Sequence, residues 1–156
     1  MTIRPAEIRD IPGILSLLRQ VGQVHHDIRP DIFRNHALKY DEAALAELLR
    51  DETRPIFVAV EEDFVLGYCF CVHKVFRNHE TFTDRSECYI DDLCVDEGHR
   101  GRGIAKALYR HVTAYAKERG FDTITLNVWC GNDSAMKFYE NAGMTPRNIL
   151  MEMKLC

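Results

Sequence analysis

One stretch limits what this chain can fold into more than any other: Ser86 to Ala107, SECYIDDLCVDEGHRGRGIAKA. Tyr89, Ile90, Leu93, Cys94 and Val95 read as a strand, a polar turn follows, and Arg100-Gly-Arg-Gly-Ile-Ala105 opens a helix. A glycine-rich turn feeding a helix leaves several backbone N–H groups without helical partners. With the positive end of the helix dipole, they form a site for phosphate. Gly101 and Gly103 let the backbone approach an anion, and Arg100 and Arg102 add charge at the rim. A basic turn that merely caps a helix has the same local sequence, so its surroundings must decide.

Those surroundings set two phosphate-binding turns aside. No Gly-Lys-Ser/Thr occurs, which excludes a P-loop. The glycine pair with Asp122 downstream suggests a dinucleotide turn, but Asp96 to Arg100 separate strand from glycine, where that fold turns at once. Asp122 also precedes the next strand, whereas a ribose-binding acid closes one.

A second segment lies downstream: Asn132-Asp-Ser-Ala-Met-Lys-Phe-Tyr139-Glu-Asn-Ala-Gly-Met144. Arg100-x-x-Gly103-x-Ala105 after a strand ending Leu93-Cys94-Val95 resembles the acetyl-CoA signature of the GNAT superfamily of N-acetyltransferases, Arg/Gln-x-x-Gly-x-Gly/Ala. The downstream segment resembles that family's Asn…Ala…Phe-Tyr…Gly-Phe segment. The resemblance is specific from about Tyr89 to Met144 and general upstream. It implies acetyl-CoA as cosubstrate, with Arg100, Gly101, Arg102, Gly103, Ile104 and Ala105 around its phosphates. It also implies that the pantetheine arm enters between strands ending at Val95 and Trp129, bonding the backbone at Leu93, Cys94 and Val95, with Asn132 as a further hydrogen-bond partner.

The rest of the chain reads as one domain, 1–156, without repeats or low complexity. Thr2 to Arg4 is a short strand stopped by Pro5. A helix starts at Asp10, an N-cap candidate, and runs towards Val21 with Ile11, Ile14, Leu15, Leu17, Leu18 and Val21 at helical spacing. Gly22 then loosens the chain into a long connection with His25, His26 and His36, the candidate acceptor-contacting segment, in which no residue receives a role. Asp41 caps a second helix. Ile56 to Val60 and Phe64 to Phe76 form a hairpin, and Arg77 to Arg85 form a polar connection. The helix from Gly103 ends at Gly120, Thr123 to Trp129 is a strand, Ser134 to Asn141 a short helix, and Ile149 to Lys154 a closing strand. The resulting order, β-α-α-β-β-β-α-β-α-β, is an α/β (α+β) mixed sheet with helices on both faces, and it agrees with the GNAT fold.

A net charge of −4 offers nothing to attract nucleic acid or an anionic membrane, and no apolar run approaches a membrane span. The N-terminus carries no signal-peptide core. Cys69, Cys71, Cys88, Cys94 and Cys130 fall in strand-like stretches, as small buried hydrophobes do, which fits a reduced cytoplasm. Cys69-x-Cys71 with scattered histidines lacks metal-ligand spacing, so no metal is expected.

Acetyl transfer needs a neutral amine, a held carbonyl and a stabilised thiolate. An alkyl ammonium of pKa ~10.4 is deprotonated in only about one molecule in a thousand near pH 7.4, so a carboxylate, usually through water, helps remove the proton. Asp91 and Asp92 are adjacent on the strand, so one at most faces the acceptor unless a bulge re-aims them. The resemblance favours Asp91 as base or amine anchor, with Asp92 second, although the family more often has Glu there. It makes a backbone N–H at Leu93 or Cys94 the carbonyl donor and Tyr139 the acid for the leaving thiolate. Nothing pairs Cys94 with a base, so it reads as packing. The function expected is acetyl transfer to a small-molecule amine by direct attack. Acetylation of a protein N-terminus or lysine, or a CoA-binding regulatory module, are the alternatives, and a homodimer is left open.

Overall fold

Five strands lie side by side in chain order, β1 (Thr2–Pro5), β2 (Ile56–Glu61), β3 (Phe64–Phe76), β4 (Arg85–Val95) and β5 (Thr123–Leu126). The computed structural model describes residues 1–155. Strands β1 to β4 pair antiparallel, and β4 and β5 pair parallel, so the sheet is mixed. The parallel pair is joined by α3 (Ile104–Glu118), the crossover that such a pair requires. Helices α1 (Ile11–Ile28) and α2 (Glu42–Leu48) complete the first half, and α4 (Asp133–Asn141) follows β5.

The sheet separates two cores. On one face Ile14, Leu17 and Leu18 of α1 and Leu45 of α2 pack on Val58, Tyr68, Phe70 and Cys94. On the other, Ile104, Leu108, Val112 and Ala116 of α3 pack on Cys69, Cys71, Cys88 and Ile90. The alternation along β3 and β4 that sends successive side chains to opposite faces is therefore carried to both sides of the molecule.

The chain departs from its sequence reading in five places. α1 does not stop at Val21 but continues through Gly22 and both His25 and His26 to Ile28. Gly22 is there for closeness: a Cβ on it would sit 2.9 Å from the Ala37 carbonyl oxygen, where the following loop folds back on the helix. Asp10 occupies the N-cap position without bonding the helix. Its carboxylate turns back to take two bonds from Arg4, at 2.7 and 2.9 Å, and one from the Glu7 N–H. β5 ends at Leu126 and does not reach Trp129. Residues 149–154 form no strand; there Glu152 pairs with Arg29 and Lys154 with Asp31, and no strand of the sheet takes the segment as a neighbour among the described residues. Cys130 is exposed, unlike Cys69, Cys71, Cys88 and Cys94.

Candidate active site

The site begins with a fault in the β3–β4 ladder. Phe70 pairs with Asp92 and Cys71 with Ile90, so Asp91 is an extra residue on β4. Such a bulge bends its strand and re-aims the side chains beside it. The parallel ladder to β5 runs from Glu87 and Thr123 only to Ile90 and Leu126. It therefore ends immediately before the bulge, and β4 continues through Leu93, Cys94 and Val95 with no register partner on that side among the described residues.

Because of the bulge, Asp91 and Asp92 both meet partners from the α1–α2 side. Asp91 accepts from Lys39 Nζ at 2.7 Å, with the Tyr40 hydroxyl at 3.5 Å. Asp92 accepts from the hydroxyl of Tyr68, itself wholly buried, at 2.9 Å. Burial pushes the Asp92 carboxyl above its ordinary range and the Asp91 charge adds to this. The Tyr68 bond and the Lys39 and His25 charges oppose it. The Lys39 ammonium is lowered by burial, but its bond to Asp91 and the charges of Asp91 and Asp92 outweigh that, and its pKa is raised.

An aromatic wall stands beside the carboxylates. His25 stacks on Phe33 with ring centroids 4.9 Å apart, and Phe33 meets the edge of Trp129 at 5.0 Å. Tyr40 stacks on Phe70 at 5.7 Å. Burial lowers the His25 pKa, which favours a neutral ring. The segment is fixed by hydrogen bonds from His26 to the Phe33 carbonyl and from Arg29 to Asp31. Sequence reasoning made this connection, His25 included, the candidate acceptor-contacting segment, but singled out none of Lys39, Tyr40 or Phe33. Tyr68 was hidden as one more apolar residue of a strand, and only the register, which sets it opposite Cys94 and beside the Phe70–Asp92 pair, reveals it.

Tyr139 of α4 approaches from the other side, next to Tyr109 of α3 at 6.1 Å between centroids. Burial raises its pKa first, followed by the Cys69 and Asp92 charges, so the phenol is held protonated at neutral pH and feels Asp92 across the gap. Cys94 is buried, its Sγ lies 3.7 Å from the Leu17 carbonyl, and burial pushes its thiol up to about 12, so it packs and does not present a thiolate.

The glycine turn is open. Gly101 and Gly103 take φ of +79° and +78°, the left-handed region glycine favours, and nothing among the described residues lies within 4 Å of a Cβ built on either. Gly103 is the N-cap of α3, and among the described residues no side chain caps that end, so the first-turn N–H groups of Ile104 and Ala105 face outward. The Ile104 side chain itself is core. Asp96 braces the turn by accepting from Gln20, the Gly98 N–H and His99 at 2.9, 3.1 and 2.7 Å. Arg100 rests its Nε on the Val95 carbonyl at 3.4 Å, whereas Arg102 is engaged with Glu61 at 3.1 Å. Asn132 caps α4: its Oδ1 accepts from the Ala135 N–H, which leaves its amide N–H groups for an outside partner. An anionic group fits this donor set, and an extended amide-bearing arm fits the unpartnered edge of β4.

The family and the fold are shared with known proteins. The profile of the acetyltransferase (GNAT) family matches residues 22–144. N-alpha-acetyltransferase 30 of Schizosaccharomyces pombe is 36% identical over 87 residues, covering 56% of this chain and 55% of that protein. The chain spans about half the length of several curated relatives it matches. Among solved structures, a mutant of the BH1408 protein from Bacillus halodurans superposes with a TM-score of 0.95 at 31% identity, covering 100% of both chains. An aminoglycoside N-acetyltransferase in complex with CoA, 15% identical, shares the fold with a TM-score of 0.73 over 99% of this chain and 100% of that one.

Proposed function

The chain belongs to the acetyltransferase (GNAT) family, and on that footing we propose that it moves an acetyl group from acetyl-CoA to a primary amine of a small molecule, directly, with both substrates bound together. The observation that carries this reading is Asp91, which the bulge turns towards the acceptor wall and which already holds a primary ammonium, that of Lys39, at 2.7 Å. A carboxylate positioned to take a lysine amine is positioned to take a substrate amine, and the aromatic rings of Phe33, Tyr40 and Trp129 enclose the apolar stem of such a molecule.

Roles divide accordingly. The outward N–H groups at Gly101, Gly103, Ile104 and Ala105, with Arg100 and Arg102 at the rim, hold the cosubstrate's phosphates. Arg102 must exchange Glu61 for them, which an exposed pair permits. Leu93, Cys94 and Val95 offer their backbone to the pantetheine arm, and Asn132 its free amide. Bound acetyl-CoA supplies an activated acetyl group as a thioester. Asp91 anchors the incoming ammonium. Asp92, whose carboxyl burial makes more basic than an ordinary carboxylate, takes the proton through water. A backbone N–H at Leu93 or Cys94 donates to the carbonyl oxygen, and Tyr139, protonated at every physiological pH, gives its proton to the departing thiolate.

The test is thiol release from acetyl-CoA across a panel of amines and short peptides. A cationic small amine should be turned over. Asp91→Asn should raise its KM about tenfold or more with a smaller effect on kcat, and Tyr139→Phe should lower kcat by about ten- to a thousandfold at unchanged KM. CoA binding without release from any amine refutes the activity. An unchanged kcat in Tyr139→Phe refutes the role of the acid.

A further inference from the structure

Lys39 stands where an acceptor amine belongs, and the chain around it is held on both sides. Before it, the Ala37 carbonyl oxygen comes against Gly22 of α1. After it, Tyr40 stacks on Phe70 at 5.7 Å, and its hydroxyl accepts from Arg54 at 3.0 Å. Between these two anchored residues, Lys39 Nζ meets Asp91 Oδ2 at 2.7 Å and lies 5.7 Å from the centre of the Tyr40 ring. The other lysines are placed differently: Lys74 lies over the Tyr89 ring at 3.5 Å, and Lys154 is paired with Asp31. Among the described residues, Lys39 is the one lysine bonded to a carboxylate of the site. Its charge also acts on Asp92, and the charge of Asp92 acts on Tyr139. The groups that would serve an outside amine therefore surround an inside one. A partly exposed ion pair of this kind contributes little to stability, so stability is a weak reason for a cation at this place.

We propose that Lys39 is an acceptor of the chain's own acetyl transfer: with acetyl-CoA bound and no outside amine present, its Nζ takes the acetyl group, once per chain. The inference rests on Asp91 being the amine anchor. The Nζ lone pair forms the C–N bond to the thioester carbonyl carbon, and the C–S bond breaks with its electron pair left on sulfur. Nitrogen sheds two protons. One passes through water to Asp92 and on to solvent, and the other restores the Tyr139 phenol after it has protonated the thiolate. An amine already held in place needs no encounter, which favours the step. Burial lowers the Lys39 pKa, but the Asp91 bond and the charges of both carboxylates outweigh it, so neutral amine is scarce and the transfer is slow beside turnover of a free substrate. The product is an uncharged amide. It gives up the ion pair with Asp91, and the anchor is left vacant for a substrate ammonium.

The experiment incubates the full chain with acetyl-CoA alone and follows thiol release and the masses of its peptides. Release should stop at one thiol per chain, with the acetyl group on Lys39. The rate per chain should be unchanged on dilution, as for a step within one molecule. Tyr139→Phe should slow it about ten- to a thousandfold. Lys39→Arg, which keeps a cation for Asp91, should abolish the release that needs no added amine. In the acetylated chain the KM for a cationic amine should fall several-fold, and a KM that does not fall overturns the vacated anchor. Acetyl groups spread evenly over the lysines, a rate proportional to chain concentration, or a rate indifferent to Tyr139→Phe overturns the self-transfer. Turnover of an added amine with Lys39 unmodified overturns this proposal and leaves the activity standing, whereas no release from any amine, added or internal, overturns both. If Lys39→Arg fails to fold, the peptide masses and the dilution series on the unaltered chain still decide.

Discussion

Adjacent strand residues ordinarily face opposite sides of a sheet, and Asp91 and Asp92 share a side only because Asp91 is bulged out of the ladder. Their environments then separate them. Asp91 is 21% exposed and paired with Lys39, whereas Asp92 sits behind Tyr68 with its pKa raised, by burial before all else. Carboxyls in two such different surroundings suit two tasks, an anchor and a base. The shift also has a sign in stability. A carboxyl whose native pKa lies above its unfolded value, ~3.9, binds a proton in the folded state that the unfolded chain has already lost, so stability falls as pH rises through that window. Asp92→Asn removes the titration. Its melting temperature relative to the parent should therefore climb as pH is raised from about 4 towards neutrality, and kcat/KM should drop by roughly 10²- to 10⁴-fold and lose its acid limb. A melting difference that stays flat with pH contradicts the raised pKa, and a retained acid limb contradicts the base.

Among the elements, the strand–turn–helix unit was fully legible, because glycine spacing, the apolar stripe of α3 and the stop at Gly120 are all local signals. The bulge was not, since Asp91 and Asp92 read the same whether the strand is regular or faulted, and only the partner strand's register distinguishes the two. Nor was the true length of α1. Gly22 looks like a breaker in sequence, whereas in the fold it is the place where the loop's Ala37 carbonyl comes against the helix. Tyr139 was assigned through family pattern and the glycine turn through its local sequence, but Lys39, Tyr40 and Tyr68 carry no pattern and became visible only through the carboxylates they contact. The close approach at Gly22 gives a test at this scale. Gly22→Ala puts a methyl 2.9 Å from a backbone oxygen, which must move. Overpacking of that kind costs about 1–3 kcal/mol, and here the strain falls on the loop that carries Phe33, Lys39 and Tyr40. The acceptor KM should rise several-fold while CoA affinity is unchanged. An unchanged acceptor KM separates this loop from the acceptor.

Over the whole molecule, two buried carboxylates fasten opposite edges of the sheet to what lies beyond it. Asp10 joins β1 to the start of α1 through Arg4, and Glu87 joins β4 to β5 through Thr125 and to the chain after α4 through Arg147. In both cases burial pushes the carboxyl up and is outweighed by hydrogen bonds and arginine charge, so the native pKa lies below its usual value. The sign is opposite to that of Asp92. The stabilisation is complete above the unfolded carboxylate range and is lost as pH falls through the lowered native value. Removing one charge leaves the arginines that it held unmatched, at a cost of about 1–3 kcal/mol each at neutral pH, or a few degrees per kcal/mol in a chain of this length. The two clusters share no partner, so if the chain unfolds as one cooperative domain the costs of Asp10→Asn and Glu87→Gln should add to within about 0.5 kcal/mol in the double variant. One thermal transition is expected in all three proteins, with the differences from the parent shrinking as pH approaches about 3. Two separated transitions, or a deficit that persists undiminished in acid, would mean that the sheet does not bind its two cores into a single unit or that these carboxylates do not act through their charge.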